Sequence, residues 1–100
     1  MRLEEQIFLL ARLRSAEGHL GSIINMVETE QNCLKVLYQL HAVQAALQAS
    51  GRYLLQCQVK QSIEIVSQDT CPEKRCAEIN RLVDLYHFYQ ELFWFTSRAE

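Results

Sequence analysis

Proline and glycine are scarce in this chain of 100 residues: there is one proline, Pro72, and there are three glycines. Pro72, flanked by DT-C and EK, is the one firm break in the pattern. Acidic side chains are missing altogether from residues 31–63, where Lys35, Arg52 and Lys60 stand unopposed. The middle of the chain is therefore locally basic although the formal net charge is −2, and an oligomer would multiply that charge. No apolar run approaches the ~20 residues of a membrane span, which predicts a soluble protein with no membrane partner. A glycine-rich phosphate loop, a Ser/His/Asp set and a tight His/carboxylate cluster are all missing, so an enzyme is not expected; a catalytic pocket could arise only between subunits.

The amino terminus, MRLEEQIFLLARLRSAEG, places two glutamates ahead of a short apolar run broken by Arg12. That does not fit a secretory signal and points to the cytoplasm. Cys33, Cys57, Cys71 and Cys76 are then expected as reduced thiols rather than a disulfide framework. One hundred residues allow one small domain with a modest core, which three helices of this size often complete by oligomerising.

What is present is helical periodicity. Leu3, Leu10 and Ile24 share one seven-residue series, and Leu13, Leu20 and Val27 share the interleaved one. This seam of period near 3.5 predicts a first helix over 3–28. Cys33, Leu40, Leu47, Leu54 and Gln61 repeat the pattern, with Leu37, Gln44, Gly51, Gln58 and Ile65 beside them, predicting one long helix over 32–67. Small residues gather at its middle: Ala42, Ala45, Ala46, Ala49, Ser50 and Gly51. They let another helix approach closely, or they simply favour helix. The third helix, 73–98, is aromatic, with Tyr86, Phe88, Tyr89, Phe93, Trp94 and Phe95 within LYHFYQELFWF. An apolar surface that wraps around a helix is expected in a core and subunit interface, or against a protein partner.

Cys33 and Gln58 lie about 38 Å apart on one helix at ~1.5 Å per residue, so they cannot share a site within one chain. If two copies of the second helix cross antiparallel near residues 45–47, Cys33 of one protomer comes beside residues 58–62 of the other. RLRSAEGHLGSIINMVE (12–28), then Cys33, QLHAVQAAL (39–47) and LLQCQVKQS (54–62) together resemble the CsoR/RcnR/FrmR family of small helical bacterial repressors, over about residues 9–66 without gaps.

The resemblance implies an all-α, three-helix protomer in an antiparallel four-helix-bundle dimer, usually doubled to a tetramer, that binds operator DNA and is released by an effector. In the copper-sensing branch the ligands are a cysteine heading the second helix, then a histidine and a cysteine from the partner chain. Cys33 fits the first position, and Gln58 and Ser62 occupy the other two. An amide and a hydroxyl are hard, weak donors, so Cu(I) of the family type is not expected, while another transition metal or a reactive small molecule remains open. His19, His41 and His87 fall away from the family's ligand positions. Serine at 62 departs from the persulfide sensor, and the lack of proline at residue 2 departs from the formaldehyde sensor.

Cys33 is thus the expected effector residue, either as a reactive thiolate or, alternatively, as a packed small side chain. Cys57 neighbours a ligand position but points about 100° away around the helix. Cys71 and Cys76, in CPEKRC, lack zinc-knuckle spacing and could form a redox-switched disulfide or an intersubunit metal site. Arg12 falls on the arginine of the family motif; with Arg14, Arg52 and Lys60 it is expected to contact phosphates, although Glu4 and Glu5 replace the family's basic tail. The sequence therefore predicts a DNA-binding repressor. A helical interaction module that has lost DNA and metal binding is the alternative.

Overall fold

The computed structural model describes the backbone of residues 1–97 and the side-chain environments of residues 1–90. The described chain is all-α: α1 is Leu3–Glu28, α2 is Cys33–Gln68 and α3 is Pro72–Ser97. None of these helices is long and apolar enough to cross a membrane.

The helix ends follow from local chemistry. Glu4 and Glu5 lie in the first turn of α1, where the helix dipole favours negative charge. At its other end the Gln31 N–H bonds the Met26 carbonyl and the Glu30 N–H bonds that of Val27. This pair of bonds is a Schellman closure, and it requires left-handed backbone at Glu30, where φ is 56°. The Asn32 carboxamide then accepts the Leu34 N–H at 2.8 Å, capping α2 and making Cys33 its first residue. After α2, the Asp69 carboxylate accepts the Cys71 N–H at 2.9 Å, and α3 starts on Pro72, whose missing N–H costs nothing in a first turn.

The chain divides into two compact units, Met1–Gln56 and Cys57–Glu100. In the first, α1 and the leading part of α2 run antiparallel. Phe8 meets Tyr53 with ring centroids 4.8 Å apart, and His19 Nε2 lies 2.7 Å from Gln39 Oε1. The side chains buried there are Leu9, Ala16 and Ile23 of α1 and Val43 and Ser50 of α2, each set spaced by seven. In the second unit the fully or nearly buried residues are Cys57, Ser62 and Glu78.

The leucine seam read from the sequence is not the stripe that packs within the chain. Leu3, Leu10, Leu13, Leu20, Ile24 and Val27 are exposed, as are Leu37, Leu40, Leu47 and Leu54. A pair of helices can bury only one narrow stripe on each. Here that stripe carries Ala16 and Ser50, small enough for a close approach, and it leaves the larger leucines facing outward. On α3, Tyr86 and Phe88 are exposed and Tyr89 is half-buried, whereas the side chains of Phe93, Trp94 and Phe95 lie outside the described residues.

Candidate functional site

Gln58 and Ser62 are one helical turn apart on α2, so their side chains are neighbours by construction. Gln58 Nε2 donates to Ser62 Oγ at 3.2 Å, and Ser62 Oγ donates to Glu78 Oε1 of α3 at 2.6 Å. Ser62 has no exposed surface and Glu78 is 6% exposed. A hydroxyl has a single proton, and that of Ser62 is committed to the carboxylate while a lone pair receives the amide. The other carboxylate oxygen of Glu78 lies 3.7 Å from Arg81 Nη1, whose side chain is largely in solvent. The result is a closed relay of hard donors and acceptors. Among the described residues no buried side-chain nitrogen or oxygen is left without a partner.

Cys33 sits at the opposite end of α2, exposed on its first turn beside the Asn32 cap. Cys57 is buried and engaged in an interaction of its own. Cys71 caps α3, half-buried, with its sulfur 3.9 Å from Glu73 Oε2, and Cys76 is exposed. All four thiols are free. Among the described residues of one chain, no group of three or more His, Cys, Asp or Glu side chains could hold a metal ion.

Of the basic residues, Arg12 is held over the Phe8 ring, 5.3 Å from its centroid. It lines a groove of about 360 Å³ shared with Ser15, His19 and Ala46. Arg14, Arg52 and Lys60 are exposed on α1 and α2.

Glu78 was not singled out by the sequence pattern, yet it is the acceptor on which the relay ends. A signal for it exists. Glu78 falls on the stripe of α3 that carries the half-buried Leu82, Leu85 and Tyr89, and an acid on an apolar stripe needs a buried partner.

A family model described as metal-sensitive transcriptional repressor matches residues 5–87. The chain belongs to this family. It is a family of transcriptional repressors rather than enzymes, which agrees with the missing catalytic motifs. Curated relatives include the copper-sensing transcriptional repressor CsoR of Mycobacterium ulcerans, 46% identical over 46 residues, which are 46% of this chain and 39% of that protein. CsoR of Bacillus subtilis is 42% identical over 45 residues, 45% of each chain. The chain thus spans less than half the length of the curated relatives it matches.

Two solved structures share the fold. The nickel-responsive transcriptional regulator InrS superposes with a TM-score of 0.68 at 28% identity, covering 86% of this chain and 93% of that one. The E64H variant of the formaldehyde-responsive regulator FrmR from Salmonella enterica serovar Typhimurium gives 0.74 at 24% identity, covering 88% and 97%. Members named for copper, nickel and formaldehyde therefore surround this chain within one fold.

Proposed function

We propose that the chain is a DNA-binding repressor of this family whose family-type Cu(I) site is degenerate and whose effector response runs through Cys33. The observation that carries the reading is the commitment of Ser62 to Glu78. A fully buried hydroxyl bonded at 2.6 Å to a carboxylate has no soft electron pair to offer a metal, and Gln58 is engaged on its other side. Cys33 by contrast is an exposed free thiol, open to a reactive small molecule or to a metal held with donors from another chain. The family relationship supports operator DNA as the partner and the cytoplasm as the place of action.

The working form in this reading is a homodimer or a homotetramer. The exposed leucines of α1 and α2 support it, since they form a long apolar surface that a second copy would cover. Arg12, Arg14, Arg52 and Lys60 then supply the phosphate contacts. Fluorescence anisotropy of the reduced protein with a G/C-rich duplex over a salt series tests the proposal. Binding that falls steeply with salt is expected; no binding at low salt removes DNA from the function.

A second reading is favoured by the exposed Tyr86 and Phe88 of α3: a helical module that has lost DNA and metal binding and docks another protein through that face. The same titration separates the two, because only the repressor binds the duplex.

A further inference from the structure

The groove along α1 has a chemistry distinct from the rest of the surface. Arg12, Ser15 and His19 lie on one face of the helix, three to four residues apart, with Phe8 at one end and Ala46 of α2 forming the floor. The Arg12 guanidinium is steered by the Phe8 ring, and no carboxylate among the described residues is within ion-pair distance of it. Ser15 is exposed and makes no hydrogen bond to any described residue. His19 is half-buried and fixed by Gln39, so it closes the groove as a wall. A cation and a free hydroxyl on consecutive turns, in a cleft with apolar walls, complement a small oxyanion.

The position of the groove is consistent with such a role. At ~100° per residue, the Phe8/Arg12/Ser15/His19 face lies roughly 150° around α1 from the exposed Leu3/Leu10/Ile24 stripe. A second copy covering the leucines leaves the groove open.

We propose that this groove is a seat for one phosphate group, bound by the Arg12 guanidinium and the Ser15 hydroxyl between the walls of Phe8 and His19. The inference rests on the DNA-binding reading for one source of that phosphate, the duplex backbone; the other source is free phosphate. It adds Ser15 as a ligand and gives the cation–π contact a task, because a guanidinium held against a ring is already aimed when the anion arrives.

The test is a double-mutant cycle on the full chain with Arg12→Gln and Ser15→Ala, both exposed helix positions that tolerate substitution. Duplex binding is followed over a salt series. Arg12→Gln is expected to lower the slope of log K against log salt by about 0.9, as loss of one phosphate contact does. Ser15→Ala is expected to weaken binding about fivefold with the slope unchanged, since it removes a neutral donor. In the Arg12→Gln background the Ser15→Ala loss should shrink to less than about twofold, because both groups hold one anion. In parallel, the Arg12 Nε–H resonance is titrated with inorganic phosphate against chloride at matched ionic strength. A saturable shift that weakens in Ser15→Ala shows that free phosphate is accepted as well, while coupling in the cycle without such a shift restricts the seat to the duplex backbone. Additive losses, or none, together with no response to phosphate overturn the seat. A phosphate response in a chain that binds no duplex leaves the seat standing and removes the repressor reading instead.

Discussion

Ser62 Oγ donates to Glu78 Oε1 across 2.6 Å, joining the α2 segment of the second unit to α3 through a hydroxyl with no exposed surface. Hydrogen bonds to a charged acceptor are shorter and stronger than neutral ones, and a buried carboxylate deprived of its donor retains the cost of its desolvation. Gln58, one turn earlier, completes the relay.

Ser62→Ala should therefore destabilise the chain by about 1–3 kcal/mol, because Glu78 would keep a buried oxygen without a donor. Replacing both partners, Ser62→Ala with Glu78→Leu, should recover part of that loss, since an apolar pair leaves no unmet charge. Urea midpoints of the two variants and the parent check this. Equal stability of Ser62→Ala and the parent would show that the relay contributes nothing.

The chemical distance from a soft-metal site is two side chains. The double variant Gln58→His, Ser62→Cys offers an imidazole and a thiolate where the parent has an amide and a hydroxyl, and Cys33 is already present. Cu(I) affinity, measured by competition with a chromophoric chelator, should rise by several orders of magnitude, on the scale that separates soft-ligand from hard-ligand sites. Unchanged affinity would remove the family geometry from these positions.

Leu47 is 47% exposed at the middle of the leucine surface. Leu47→Glu should convert the oligomer to a monomer in analytical ultracentrifugation, with α-helical circular dichroism largely retained, because the side chain has little contact within its own protomer. An unchanged mass would remove the antiparallel packing of two α2 helices.

Glu30 holds left-handed backbone, at φ 56°, to let the chain leave α1. Glu30→Gly should stabilise the chain by about 1 kcal/mol, since glycine adopts that conformation without the clash of a Cβ. Thermal unfolding of the variant checks it, and a lower midpoint would mean that the glutamate side chain makes a contact worth more than the strain.

The helices were legible because their signals are local. Period near 3.5, the single proline and the exit at ETEQN specify where helix can form and where it must stop, using only neighbouring residues. Family membership was legible for a related reason, since Arg12, Cys33, Gln58 and Ser62 keep their mutual spacing on gap-free helices. The packing was not. Both the 3/10/24 series and the 9/16/23 series repeat every seven residues, and a periodicity does not say which of two stripes turns inward. Only the fit of one helix against another chose the stripe with Ala16 and Ser50 and left the leucines outside. Likewise, Ser62 read as a missing ligand in the sequence. Its place in a buried relay depended on Glu78, sixteen residues on, being brought to it by the return of α3, a contact of the folded chain that no local pattern encodes.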